Sequence, residues 1–269
     1  DELVKEDRLP ALVFSFSRKD VERLAHQNQR RELLSEGDRE RMIELQDELL
    51  EIFQLPRKFL RGEVMQMALG GVAYHHAGLL PVHKELVERM FTAGLIKLLF
   101  TTETFALGIN MPARSVIFSQ LRKYDGVSFD WLRTRDYMQM AGRAGRQGID
   151  PKGWVYSVLG NRDLVEAPLE RLFAGKPEPV TSRFRLSYST ILHLVEAAGR
   201  ERLQEAFEHS FALFQARGGS KKARAHQRSD QRAAVKGRLR FLESLGYLEG
   251  EKVSPRGKIA RVLSGHEVQ

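Results

Sequence analysis

Between residues 11 and 159, short unbroken apolar runs alternate with longer stretches whose apolar residues recur every three or four positions. The runs cover residues 11–16, 70–74, 95–102, 115–120 and 153–159. Runs such as ALVFSF and LIKLLFTT, with little polar alternation, predict strands of a parallel sheet buried on both faces. The stretches between them predict helices. Ser17 can cap a helix starting at Arg18, with Asp20 in its first turn. Leu33, Leu34, Met42, Leu45, Leu49 and Phe53 mark one or two amphipathic helices over 30–55, closed by Pro56. Pro81 suits a helix start and Gly94 a stop, bracketing a helix over 82–93. Residues 103–112 read as a strand-to-loop junction. Asp136 is a good N-cap, and the residues after it in the stretch 135–148 read as helix. Strands alternating with helices predict an open, mostly parallel α/β sheet. Ligands of such sheets bind beyond the carboxyl ends of the strands. His75, Thr102, Asn110 and the helix over 135–148 all follow strand ends, so they are expected to gather on one edge.

The alternation stops after Lys176. Pro177 and Pro179 mark a linker. Helices are expected over 186–198, 201–215 and 235–245, and two short strands with turn residues between 246 and 257. The expected organisation is a domain over 1–176 and a second over 177–269. Helices followed by a small hairpin suggest a winged-helix module.

Composition changes this picture in three places. The 269-residue chain has no Cys, which excludes disulfides and thiolate metal sites, and no apolar run of membrane-spanning length. It opens DELVKEDRLP, without Met or a signal-peptide pattern, and is expected to be part of a longer protein. Its net charge is +8, and residues 217–240 alone hold nine Lys/Arg against one Asp. Basicity this local suggests a polyanion contact, the alternative being a disordered basic loop.

The stretch RDYMQMAGRAGRQG carries the most unusual chemistry. On a helix, Gln139, Arg143 and Arg146 share one face. Interior glycines cost roughly 1 kcal/mol each against alanine, so Gly142 and Gly145 imply a close approach to the backbone. Two guanidinium forks suit an anion with several oxygens, such as a nucleoside triphosphate, where the plainer alternative is a solvated basic face. Asn110 offers a donor and an acceptor, or simply a turn before Met111-Pro112. His75-His76 is a weak metal signal, because neighbours on a strand face opposite ways. No G-x-x-x-x-G-K-[ST] phosphate loop occurs in the chain.

Four segments in order, ALVFSFSRKD, YHHAGLLP, TTETFALGINMP and QMAGRAGRQG, resemble the second RecA-like domain of superfamily-two DExH helicases. Within that group they are similar to the superkiller and exosome-associated RNA helicases. TETFALGINMPAR followed by RKYDG is closer to that branch than to its DNA-repair relatives. SRFRLSYSTILHL, FEHSFALFQ and LRFLESLGYL with GKIARVLSGHE resemble the family's winged-helix region, so the resemblance covers essentially the whole chain. The family's arch insertion is reduced to RGGSKKARAHQRSDQRAAVK, over 217–236, an arch either short by nature or deleted.

The resemblance implies an α/β, RecA-like, mostly parallel sheet followed by a small, mainly helical winged-helix module. It implies the C-terminal half of an ATP-dependent 3′–5′ RNA helicase, inactive alone. A first RecA-like domain, absent here, would bring the phosphate loop and the carboxylates that hold Mg2+. By motif, Arg143 and Arg146 would be arginine fingers, and Gln139 would orient phosphate or the attacking water. Gly108 and Asn110 would approach the ATP ribose and γ-phosphate. Ser15, Ser17, Gly78 and Thr102 would hold the phosphates of single-stranded RNA, with helix capping the alternative for Ser17 and Thr102. Lys221, Lys222 and Arg224 would add a basic contact. The implied partners are single-stranded RNA, the first RecA-like domain and an RNA-degradation complex, in the cytoplasm or, in a eukaryote, the nucleus. Gln147 departs from the family's frequent Arg. The alternatives are a DNA helicase of the same superfamily and a non-catalytic nucleic-acid-binding module.

Overall fold

The structure, a computed structural model, describes residues 1–108, 111–124, 128–180, 182, 187–200, 202–203, 205, 209–215 and 221–262. Of 107–108, 212–213 and 221–232 it describes the backbone alone. The chain divides into two compact units, Asp1–Glu178 and Pro179–Gln269.

The strands of the first unit are β1 (Ala11–Phe14), β2 (Val72–His75), β3 (Leu98–Thr101), β4 (Ser115–Phe118), β5 (Arg122–Tyr124), β6 (Phe129–Trp131) and β7 (Trp154–Ser157). Five of them form one sheet in the order β2-β3-β1-β4-β7, and every pairing in it is parallel. Ala11 of β1 pairs with Leu98 on one side and Ser115 on the other. All residues of β1, β2 and β3 are buried, as an apolar run covered on both faces requires. The outer strand β7 is only partly covered.

The helices of this unit are α1 (Glu2–Lys5), α2 (Arg18–Asn28), α3 (Glu36–Ile52), α4 (Glu63–Ala68), α5 (Pro81–Thr92), α6 (Glu103–Gly108), α7 (Thr134–Ala141), α8 (Asn161–Glu166) and α9 (Leu169–Ala174). Local chemistry sets their ends. The Ser17 hydroxyl accepts from Asp20 N at 3.0 Å and the Ser35 hydroxyl from Asp38 N at 3.2 Å. Pro81 occupies the first turn of α5, and Gly94 follows it at φ +74°. Val21, Ala25, Met42, Leu49, Leu86 and Met90 line the core face of α2, α3 and α5.

Two expectations are corrected here, and one element was not expected. Residues 103–108 form α6 instead of a strand-to-loop junction. An antiparallel hairpin, β5–β6, stands outside the main sheet. The helix expected over 135–148 is α7, which starts at Thr134 with Arg133 as N-cap and ends at Ala141. Asp136 lies in its first turn.

The second unit holds α10 (Tyr188–Ala198), α11 (Phe211–Gln215), α12 (Lys221–Ser244), the antiparallel pair β8 (Leu248–Glu249) and β9 (Lys252–Val253), and α13 (Pro255–Val262). Ser187 caps α10 by accepting from Thr190 N at 3.1 Å. Ile191, Leu192 and Val195 of α10 pack with Val235, Leu239 and Leu242 of α12 and with Tyr247, Leu248 and Val253 of the hairpin. The helix expected over 235–245 is the end of α12, which begins at Lys221, so the basic stretch is helical from Lys221 on. Much of the helix expected over 201–215 lies outside the described residues. Among the described residues no helix is long and apolar enough to cross a membrane.

Candidate functional site

Because the sheet is all parallel, every loop that follows a strand emerges on one edge. Ser15 and Ser17 follow β1, His76 and Gly78 follow β2, and Thr102 follows β3. Ser15 is buried, 2% exposed, which keeps its hydroxyl below the surface and at odds with a direct phosphate contact. Ser17 is the N-cap of α2, and its hydroxyl also donates to Asp20 Oδ2 at 2.7 Å. The Thr102 hydroxyl lies 2.9 Å from Thr104 Oγ1. Gly78 is exposed, and its N–H donates to His76 Nδ1 at 3.1 Å. An imidazole that accepts at Nδ1 carries its proton on Nε2, and that nitrogen lies 2.8 Å from Glu22 Oε1. The Glu22–His76–Gly78 chain thereby fixes the turn after β2.

His75 points the other way. Its Nε2 lies 2.8 Å from Glu88 Oε1, and its ring meets Phe105 edge-on at 5.0 Å. Burial, helped by Lys84 and His76, pushes its pKa down to about 4. Burial also raises that of Glu88. The contact is therefore a hydrogen bond to a neutral ring and not an ion pair. Each histidine has a carboxylate partner that adjacency in sequence did not reveal, and the two partners lie on different helices, α2 and α5. Among the described residues no three His, Asp or Glu side chains group as a metal site.

The arginines lie at the opposite edge. Past α7 the chain turns at Gly142, and Arg143 O accepts from Ala113 N at 2.9 Å while Gly145 N donates to Ala113 O at 2.7 Å. Ala113 precedes β4 and Gly153 precedes β7, so this loop sits at the amino ends of the strands. That corrects both the single gathering edge and the shared helical face of Gln139, Arg143 and Arg146. Gln139 is exposed on α7, whereas both arginines are beyond it. The glycines have a different explanation from a ligand's approach. Gly145 sits at φ +89°, and a Cβ on Gly153 would fall 2.3 Å from the Ala144 carbonyl carbon. The close neighbour is the chain's own backbone.

Arg143 Nη2 donates to Ala106 O on α6. Arg146 is held more completely. Its Nε donates to Asp150 Oδ2 at 2.8 Å, its Nη2 to Asp150 Oδ1 at 2.9 Å, and its backbone N to Asp150 Oδ2 at 3.0 Å. Arg114 Nε adds a further bond to Asp150 Oδ1 at 2.9 Å. The hydrogen bonds from Arg146, with those from Arg114, hold the Asp150 carboxyl far below the usual carboxylate range, although its side chain has 0% exposure. Arg114 also pairs with Asp7.

Sequence reading missed Asp150, Arg114 and Glu178. Asp150 stands four residues after Arg146, a spacing that marks ion pairs on helices, but here the pair spans a turn. Arg114 had no local signal, being 36 residues from its partner. Glu178 reaches back to the start of α7, accepting from Thr134 N at 3.0 Å and Arg135 N at 2.9 Å. Lys123 on β5 also joins two helices, bonding Glu103 at 2.6 Å and Asp136 at 3.0 Å. Asn110 lies outside the described residues, Gly108 ends α6, and Lys221, Lys222 and Arg224 are placed on α12 by backbone alone.

Residues 52–148 match the family described as the helicase conserved C-terminal domain. The human superkiller complex protein 2 is 40% identical over 227 residues, 82% of this chain and 18% of that protein. The human exosome RNA helicase MTR4 is 37% identical over 211 residues, covering 77% of this chain and 20% of that protein. The Arabidopsis thaliana DExH-box ATP-dependent RNA helicase DExH10 is 38% identical over 209 residues, covering 77% and 21%. The chain thus spans about a fifth of the length of these relatives. With its parallel sheet, its match to the helicase C-terminal domain and these relatives, the chain belongs to the superkiller and exosome-associated DExH helicases, as a part of their C-terminal region.

Proposed function

We propose that the chain is the second RecA-like domain and winged-helix region of an ATP-dependent RNA helicase moving 3′ to 5′, with residues 1–176 and 177–269 in those roles. Relatives named as RNA helicases support this reading. The observation that carries it is the division of candidate groups between the two edges of one sheet. Ser17, Gly78 and Thr102 follow the carboxyl ends, where hydroxyls and main-chain amides suit the backbone of a single strand. Arg143 and Arg146 sit at the amino ends, where fixed guanidiniums suit a nucleotide's γ-phosphate.

On this reading a first RecA-like domain completes the ATP site and brings the Mg2+ ligands. Arg143 and Arg146 stabilise the charge that develops on the transferring phosphoryl group, and Gln139 orients the attacking water. Gly108 and Asn110 approach the ribose and γ-phosphate. The setting is an RNA-degradation complex.

The test is ATP hydrolysis by the full-length protein with single-stranded RNA, single-stranded DNA or neither, beside Arg146→Ala. The expected result is stimulation by RNA that falls by about 10³-fold or more in the variant. Stimulation by DNA alone moves the protein to the repair branch, and no hydrolysis with either polymer makes it a binding module. Undiminished hydrolysis in the variant removes Arg146 from the site.

A further inference from the structure

A finger arginine has to be held and yet keep donors for the phosphate. Arg146 meets both conditions. Its Nε and one Nη2 hydrogen are spent on Asp150, and Nη1 makes no hydrogen bond among the described residues. An arginine fork has five N–H donors, so the outer edge of this one remains for a ligand. The side chain is 25% exposed, and its Asp150 partner 0%.

Asp150 is saturated. Its two oxygens accept Arg146 N, Arg146 Nε, Arg146 Nη2 and Arg114 Nε, which fills a carboxylate's roughly four acceptor sites. A carboxylate bound this way cannot swing out to compete with a phosphate. It also takes the backbone N–H of the residue whose side chain it grips, so the arginine's main chain and guanidinium share one anchor. Arg114 shares the same buried anion, so the Asp150 carboxylate is held from two sides. Arg114 is itself fixed from the far side by Asp7, in the segment that leads into β1.

The geometry points to Asp150 as the positioning residue of the arginine finger: it clamps the inner edge of Arg146 so that the outer edge is preset toward the γ-phosphate, with Arg114 bracing the clamp. This rests on the finger reading of Arg146. The carboxylate's four hydrogen bonds all go to Arg146 and Arg114, so on this reading its effect on the reaction passes through Arg146. Misplacing a catalytic group by about 1 Å can cost on the order of 100-fold in rate.

The experiment compares RNA-stimulated ATP hydrolysis by the full-length protein, Asp150→Asn, Arg146→Ala and the double variant, with thermal unfolding of each. The expected result is a kcat for Asp150→Asn lower by about 10- to 100-fold, with KM for ATP within about threefold. In the Arg146→Ala background the same change is expected to cost nothing further, a coupling that loosened packing would not show. An unchanged kcat in Asp150→Asn beside a collapse in Arg146→Ala overturns the clamp and leaves the finger standing. Equal losses in both backgrounds also overturn it, since Asp150 then acts on the fold. Full activity of Arg146→Ala overturns the finger and the clamp with it. If Asp150→Asn does not fold, Asp150→Glu, which keeps the charge but shifts the carboxylate by a methylene, is measured in its place. A several-fold loss of kcat supports the clamp and a wild-type kcat rejects it.

Discussion

His75 is a titratable group kept neutral by its surroundings. It is 5% exposed, edge-on to Phe105 and hydrogen-bonded to Glu88, with Lys84 and His76 nearby. Its pKa is about 4 in the fold against an ordinary 6.5. Between those values the unfolded chain binds a proton that the native ring refuses, so stability falls as pH drops from about 6.5 toward 4. The full loss is up to about 3 kcal/mol. In chemical denaturation, a His75→Gln variant is expected to show a flatter decline across this window than the parent. Parallel declines would mean that His75 protonates freely in the folded state. At this scale the sequence was only half legible. Arg143 and Arg146 announce themselves by residue type beside glycines, whereas the acid that holds Arg146 does not. Asp150 reads as one exposed acid among many until the turn folds it inward.

The eight-residue helix α7 carries Gln139 and leads into the arginine loop. Its N-cap, Arg133, makes no side-chain capping bond, and Glu178 supplies the missing acceptors from 43 and 44 residues away. A negative group there also meets the positive end of the helix. Glu178→Ala is expected to lower the stability of the first unit by about 1 kcal/mol, read by thermal unfolding. An unchanged midpoint would show that water caps α7 equally well. Such long-range caps are why helix ends were less legible than strands. The five sheet strands follow from apolar runs with bounds shifted by at most three residues, since a buried parallel strand leaves little choice of composition. The end of α7 depended on a bridge to Ala113 and on the positive φ of Gly145, which no periodicity records. The hairpin β5–β6, with three residues a strand, is too short for alternation to speak.

Over the whole chain, the net charge of +8 is concentrated in residues 217–240, most of which lie on α12. If that helix meets RNA, the contact is a salt-sensitive one. Charge reversal at Lys221, Lys222 and Arg224 is expected to weaken single-stranded RNA binding by the full-length protein. It should also make the dependence of log affinity on log salt shallower by about 2. Unchanged affinity and slope would exclude these residues from the contact. In the first unit, what is distinctive about the arginine edge includes a side chain that is missing. Where a side chain on Gly153 would stand, the backbone of Ala144 already sits, and the loop lies flat against the lead-in to β7. Its conformational entropy was surrendered when the sheet formed, and if a nucleotide binds there, as proposed above, it has no disordered loop to organise. The loop that carries the arginines is therefore fixed to the sheet, and on the proposed reading any opening or closing around a nucleotide is work for whole domains and not for this loop.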